Sequence, residues 1–165
     1  MVLRGEIERF GPGRYHMVSA PRSENTDVAL AAAGVPRSII SLLSALRFHG
    51  IGTQMPAEVW LAVPRAARVP RLYYPPLRIV RISEQFFDLG VEEHQIQGQT
   101  VRVYGIERTI ADCFRFRNKI GLDVALEALK ATWRDRRLDL NRLHKIAERL
   151  RVGKVMRPYL EAIVL

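Results

Sequence analysis

Arginines and tyrosines are interleaved with prolines between Val63 and Ile82, in a stretch that contains no acidic residue. The arginines are Arg65, Arg68, Arg71, Arg78 and Arg81, and the tyrosines are Tyr73 and Tyr74. Guanidinium groups bind phosphates through paired hydrogen bonds, and neighbouring rings can stack on bases or on guanidinium groups. A solubilising loop with half-buried tyrosines has the same composition. The pattern favours contact with a polyanion through the first four of these arginines.

A second set of cations lies on a predicted β-hairpin. Segments Glu6–Phe10 and Arg14–Val18 flank Gly11-Pro12-Gly13, and glycine and proline supply the backbone angles of a tight turn. A basic β-ribbon is typical of the wing of a winged helix, whose arginines bind phosphates or enter the minor groove. An ordinary solvated hairpin is the competing interpretation. The candidate DNA contacts are Arg4, Arg9, Arg14 and Tyr15.

A third basic surface is predicted on a helix near the C-terminus. Residues 134–158 hold nine Lys or Arg against three Asp or Glu. Arg142, Lys145 and Arg149 follow the spacing i, i+3 and i+7, so they share one exposed helical face. Such a run is usually only a solvated face. Together with the arginines of residues 63–82, it indicates one broad positive side.

Signatures of catalysis are weak. Asp123, Glu127 and Lys130 could form the metal site of a nuclease, but their spacing also fits an ordinary surface helix. His49 is expected at a helix C-terminus, where the dipole favours an imidazolium and a capping role outweighs a general base. Cys113 falls in an apolar stripe and is predicted to be core. We therefore expect no enzyme, no cofactor and no metal.

The composition limits the classes of binding partner that the chain is expected to have. The chain has 165 residues, 48% of them apolar, and a formal charge of +9, which draws a protein towards nucleic acid. No apolar run approaches the roughly 18 residues that cross a bilayer, and charged residues interrupt the N-terminus at once. A single cysteine excludes an intramolecular disulfide and a cysteine-based zinc cluster. The expected location is the cytoplasm, without a membrane partner.

The elements that position these residues indicate an α+β fold in which a small sheet packs against several helices. One helix is expected over Thr26–Ala33. A second, capped by Ser38, would bury Ile39, Leu42, Leu43 and Leu46 and end at Gly50. Strands are predicted over Val59–Val63, Leu77–Ile82, Val91–Ile96 and Thr100–Tyr104, with Gln97-Gly98-Gln99 as a turn.

The last sixty or so residues show the apolar period of helices. The predicted stripes are Ile106, Ile110, Cys113 and Phe114; then Leu122, Leu126, Leu129 and Trp133; then Leu140, Leu143, Ala147 and Leu150, with Gly153 ending that helix. A short final helix would carry Tyr159, Leu160 and Ile163, with Pro158 in its first turn. The expected organisation is a hairpin over 1–20, a linker with a short helix over 21–36, and a domain over 37–165.

Three stretches resemble the AbiEi family of antitoxins and transcriptional regulators, from type IV (abortive infection) toxin–antitoxin systems. The first is Ser44-Ala45-Leu46-Arg47-Phe48-His49-Gly50-Ile51-Gly52-Thr53-Gln54. The second is Ile106 to Lys130, especially Thr109-Ile110-Ala111-Asp112-Cys113-Phe114 and Arg117-Asn118-Lys119-Ile120-Gly121-Leu122-Asp123. The third is Met156-Arg157-Pro158-Tyr159-Leu160. The resemblance runs from about residue 3 to the end.

The resemblance implies an antitoxin of a bacterial phage-defence operon whose partner is a nucleotidyltransferase toxin encoded beside it. In this family an N-terminal winged helix represses the operon's own promoter. The C-terminal domain is needed to neutralise the toxin, generally without a stable complex. A DNA-binding repressor with no toxin partner is the first rival, and a metal-dependent nuclease using Asp123 and Glu127 is the second.

The resemblance also implies several helices ahead of Arg4-Gly5-Glu6-Ile7-Glu8-Arg9, the stretch with which this chain begins. We therefore expect most of the helix-turn-helix to be missing or reduced to its last residues. Operator specificity is then in doubt, because phosphate contacts give affinity but little sequence reading. Antitoxicity through residues beyond about 35 is expected to be less affected.

Overall fold

The computed structural model describes residues 7–11, 14–17 and 24–164. It confirms the predicted α+β class: a two-stranded hairpin, and a five-stranded sheet with helices on both faces. The strands are β1 (Ile7–Gly11), β2 (Arg14–Met17), β3 (Ile39–Ile40), β4 (Val59–Pro64), β5 (Leu77–Ile82), β6 (Val91–Ile96) and β7 (Gln99–Tyr104). The helices are α1 (Glu24–Gly34), α2 (Leu42–His49), α3 (Glu84–Phe87), α4 (Ile106–Arg115), α5 (Arg117–Ile120), α6 (Leu122–Arg134), α7 (Leu140–Arg149) and α8 (Gly153–Val164).

The five-stranded sheet has the order β5-β4-β3-β7-β6. Strands β4 and β5 are parallel, as are β3 and β7, whereas β3 pairs antiparallel with β4, and β6 pairs antiparallel with β7. Gln97 and Gly98 join β6 to β7 with φ of 50° and 80°, the left-handed angles of a two-residue hairpin turn. The predicted turn is therefore confirmed, and Gln99 already pairs with Ile96.

The sequence prediction of one helix beginning at Ser38 is wrong over its first turn. Ile39 and Ile40 form β3 in the centre of the sheet, where Ile40 faces Leu61 of β4 on one side and Val103 of β7 on the other. Both side chains are fully buried, one on each face of the sheet, and β-branched residues suit that position. Helix α2 begins only after Ser41, which is its N-cap.

The sheet separates two apolar cores, and β4 contributes to both. Trp60 and Ala62 pack into the first core, which α2, α4, α6, α7 and α8 cover. Leu61 and Val63 pack into the second core, together with Val28 and other residues of α1. Every residue of β4 is buried, so the predicted strand covered on both faces is confirmed. Helix α1, which the sequence predicts within the 21–36 segment, covers one of those faces.

The apolar stripes of the C-terminal helices are partly shifted from their predicted positions. Ile110, Cys113 and Phe114 of α4 are fully buried, as predicted. On α6 the buried residues are Val124, Ala125, Ala128, Leu129, Ala131 and Thr132, whereas Leu122 and Leu126 are only half-buried and Trp133 is 38% exposed. Of the predicted stripe only Leu129 is fully buried, and small residues beside it supply most of the buried face of α6.

Helix α8 begins at Gly153, so this glycine does not end the preceding helix, which finishes at Arg149 with Leu150 as C-cap. Pro158 consequently lies inside α8 rather than in its first turn. Its side chain is exposed, and the fully buried Met156 anchors the helix on the other face. Leu140, predicted to be core, is half-buried and belongs to neither core.

His49 ends α2, but the predicted role as a charged cap is wrong. The backbone N–H of Gly50 closes the helix on Arg47 and Leu46 carbonyls. The His49 ring instead donates from Nε2 to the Tyr104 carbonyl oxygen at 2.8 Å, since a carbonyl can only accept. Burial lowers the pKa of His49, against the opposing effects of that hydrogen bond and of Glu92, so the neutral ring is favoured.

The free energy of unfolding should therefore decrease as pH falls, and part of that decrease should depend on His49. Its folded pKa lies below the ordinary value of 6.5, so the unfolded chain binds the proton more readily and stability is lost as pH falls below that value. Urea unfolding at about pH 7.5 and about pH 5.5 measures the loss. His49→Gln keeps an N–H donor without a titrating group, and its loss should be smaller. Equal losses in both proteins would contradict the assignment.

Candidate nucleic-acid interface

Residues 65–76, here called the arm, connect β4 to β5 and cross the second core. Ala67, Val69 and Leu72 of the arm pack against that core. Leu72 lies so close to α1 that a Cβ on Gly34 would be 2.7 Å from its Cδ atoms. The arm is therefore the cover of one face of the sheet and not a free loop.

The arginines of the arm point away from the core that its apolar residues cover. Arg65, Arg68 and Arg71 are exposed, and apolar half-buried residues lie between them. None of the ion pairs within the described part of the chain involves these three guanidinium groups. The arm thus presents a row of cations that form no ion pair with any carboxylate in the described part of the chain.

Hydrogen bonds fasten the arm at both ends. Near its start, Arg81 of β5 donates from one Nη atom to the carbonyl oxygens of Arg65 (3.1 Å) and Ala67 (2.7 Å). Near its end, the Tyr74 hydroxyl donates to Asp27 Oδ2 of α1 at 3.0 Å. Arg81 and Tyr74 are therefore structural, and of the two tyrosines only Tyr73 is largely exposed, at 65%. A fixed backbone reduces the entropy lost when the arm binds a ligand.

Arg78 belongs to a different face from the arm. Along β5 it shares its side of the strand with Val80 and Ile82, which pack into the first core, whereas Ile79 packs into the second. Its guanidinium carbon lies 5.4 Å from the centroid of the Trp60 ring. The structure therefore brings Arg65, Arg68 and Arg71 onto one segment and leaves Arg78 apart from them.

The cations of α7 lie on the other side of the sheet from the arm. Arg142, Lys145 and Arg149 are exposed and line a surface cavity of about 660 Å³ with Leu89 and Gly90. Helix α7 packs into the first core, and the arm packs into the second. The expectation of one broad positive side is therefore wrong: the sheet and both cores separate the two basic surfaces.

The predicted hairpin is confirmed in its strands, with Arg9 opposite Tyr15 in the antiparallel pairing of β1 and β2. Arg4 lies outside the described residues, as do the side chains of Arg9, Arg14 and Tyr15. Their contact with DNA stays a prediction.

The nuclease hypothesis depends on Asp123 and Glu127, which lie one turn apart on α6. Both carboxylate oxygens of Glu127 are engaged, accepting from the Thr53 backbone N–H and from its hydroxyl at 2.9 Å each. These bonds, led by the backbone one, lower the pKa of Glu127. Among residues 24–164, no group of three or more His, Cys, Asp or Glu side chains is placed to hold a metal ion. The geometry assigns Glu127 to fastening the segment after α2.

A buried polar centre on α4 was missed by the sequence analysis. Arg108 and Asp112 are fully buried and joined by a 2.9 Å contact from Nε to Oδ2. The spacing i, i+4 of opposite charges on a predicted helix was the available signal, but such pairs are usually exposed. Their burial makes them structural residues, distant in role from the exposed arginines of the arm.

The comparisons with known proteins leave the chain without a family assignment. No protein-family model matches it, and no curated protein matches it either. Of the helices within the described ranges, none combines the length and apolar character needed to traverse a bilayer.

Proposed function

We propose that the chain is a non-enzymatic antitoxin and transcriptional regulator of a bacterial phage-defence operon. In this proposal it acts in the cytoplasm, binds DNA at its own promoter, and neutralises a nucleotidyltransferase toxin encoded beside it without a stable complex. The resemblance of the three stretches in its sequence to AbiEi-type antitoxins supports the toxin partner. The arginine surface supports the contact with DNA.

The outward row of arginines on the arm carries the DNA-binding part of the proposal. Arg65, Arg68 and Arg71 are exposed, form no ion pair with another described residue, and are held on a backbone that is packed and hydrogen-bonded. Exposed arginines on a fixed backbone suit phosphate oxygens, because the guanidinium fork matches them without a large entropy loss. A chain with a formal charge of +9 adds long-range attraction to any such contact.

In this proposal the hairpin residues Arg4, Arg9, Arg14 and Tyr15 contact the DNA backbone in addition to the arginines of the arm. Arg78 and the α7 cations would serve only DNA that reaches the other side of the sheet. Phosphate contacts position a protein on DNA but carry no direct sequence information. We therefore expect strong dependence on salt and weak discrimination between sequences.

A salt titration of DNA binding tests this part of the proposal. The chain is titrated into a labelled duplex of its own promoter, and into one of unrelated sequence, over a series of salt concentrations. The logarithm of the binding constant should fall linearly with the logarithm of salt, by about 0.9 for each phosphate contacted, in both duplexes. Absence of binding at low salt, or binding that salt does not weaken, would contradict it.

A DNA-binding repressor with no toxin partner is the second candidate, because the arm supports DNA binding and gives no support for a toxin partner. The two candidates predict the same salt dependence. They differ in whether the chain protects cells from the product of a neighbouring nucleotidyltransferase gene.

A further inference from the structure

A groove of about 780 Å³ lies between α7 and α8, away from the arm. Leu140 and Ala147 line it from α7, and Leu160 and Val164 line it from α8. Leu140 and Val164 are half-buried yet contribute to neither apolar core. The floor of the groove is therefore apolar surface that the described part of the chain leaves in contact with solvent.

The rim of the groove carries three Lys or Arg and two Glu side chains, an excess of one positive charge. Arg151, Lys154 and Arg157 are exposed there, and no carboxylate in the described residues forms an ion pair with them. His144 lies on the same rim, and the acidic residues are Glu148 and Glu161. An apolar floor between two helices with an excess of cations around it favours a ligand that is apolar on one side and acidic on its flanks.

We propose that this groove is a docking site for an acidic amphipathic helix of a partner protein. A second copy of the chain fits poorly, because it would bring the same cations against this rim and each chain already carries +9. Nucleic acid also fits poorly, because the apolar floor of the groove would remove water from phosphates without offering them hydrogen bonds. The site shares no residue with the arm, so it does not depend on the DNA contact.

Fluorescence anisotropy with a designed peptide tests the site. The probe is a fluorescein-labelled peptide of about four helical turns, with leucines spaced i, i+3, i+4 and i+7 and glutamates on the flanks. We expect a Kd on the order of tens of micromolar at physiological salt. A scrambled peptide of the same composition, and one with lysine in place of glutamate, should bind at least about tenfold more weakly.

Variants of the groove separate specific docking from attraction to net charge. Val164→Asp, and Lys154→Glu combined with Arg157→Glu, should each weaken peptide binding by about tenfold or more, whereas Glu161→Gln should strengthen it. Lys119→Glu combined with Lys130→Glu is the matched control for the double variant, because both lysines are exposed, on α5 and α6, outside the groove. Circular dichroism establishes that each variant is folded.

Equal binding of the scrambled peptide would overturn the proposal. So would a loss in the control variant, Lys119→Glu with Lys130→Glu, as large as that in Lys154→Glu with Arg157→Glu. Sedimentation that shows a dimer broken by Val164→Asp, with no peptide binding, would assign the groove to a second copy instead.

Discussion

Replacing Arg108 with alanine is expected to lower the free energy of unfolding by about 3–5 kcal/mol, because it removes one partner of a buried ion pair. Its side chain is fully buried, and one Nη atom donates to the carbonyl oxygens of Phe86 and Leu89 at 2.6 Å each. These bonds join α4 to α3 and to the turn before β6. Alanine would leave both carbonyls and the carboxylate of Asp112 inside the protein without their main partner.

The electrostatics of this centre explain why the loss is large. Burial raises the pKa of the Asp112 carboxyl, and the Arg108 guanidinium opposes that rise. Arg115 is the other cation near Asp112, at 3.7 Å, and cannot replace three hydrogen bonds. The Arg108 guanidinium carbon also lies 4.1 Å from the centroid of the Tyr104 ring, so its removal takes away packing as well as charge.

Urea or guanidinium unfolding measures the effect, with Arg149→Ala as the control because it removes an exposed helical arginine. The control should change the free energy of unfolding by no more than about 0.5 kcal/mol. The double variant Arg108→Ala with Asp112→Ala should cost less than the sum of the single variants, since no buried carboxylate is then left unpaired. A loss below about 1 kcal/mol for Arg108→Ala would show that the pair contributes little.

Replacing the three arginines of the arm with glutamine is expected to weaken DNA binding on the order of 100-fold at low salt. If Arg65, Arg68 and Arg71 each contact one phosphate, the slope of the logarithm of affinity against the logarithm of salt should become shallower by about 2.7. Stability should hardly change, because all three side chains are exposed and unpaired within the described residues.

Two further variants determine whether the arm is a specific surface. Lys119→Gln with Lys130→Gln removes exposed positive charge outside the arm and should weaken binding only about threefold or less. Neutralising Arg142, Lys145 and Arg149 tests the basic surface on the other side of the sheet, and we expect it to weaken binding less than the arm variant does. If the loss of affinity in these variants depends only on how many charges are removed, and not on where they lie, DNA binding is due to the net charge alone.

The sequence predicts those elements in which the order of apolar and polar residues within the element itself shows which side chains are buried. The continuous apolar run of β4 and the stripe of Ile110, Cys113 and Phe114 on α4 are readable, because each alone reveals which faces are covered. Ile39 and Ile40 are not readable in this way. Their spacing also fits the helix that follows, and only pairing with Leu61 and Val103, distant in the chain, makes them a strand.

The candidate site is predictable in composition but not in arrangement. The absence of acidic residues identifies the arginines of residues 63–82 as a basic segment. Only the topology shows that the arm covers the second core, while Arg78 and the α7 cations lie on the side of the first. Which face of the sheet the arm arginines occupy depends on the face that the arm crosses between the parallel strands β4 and β5. The local sequence does not reveal that path.

Growth rescue tests the central claim most directly. Cells carry an inducible copy of the nucleotidyltransferase-like gene encoded beside this chain, and growth after induction is compared with and without the chain. The account predicts restored growth with the folded wild-type chain, and no restoration with an empty vector. Continued arrest while the chain is present, soluble and folded would contradict the antitoxin function.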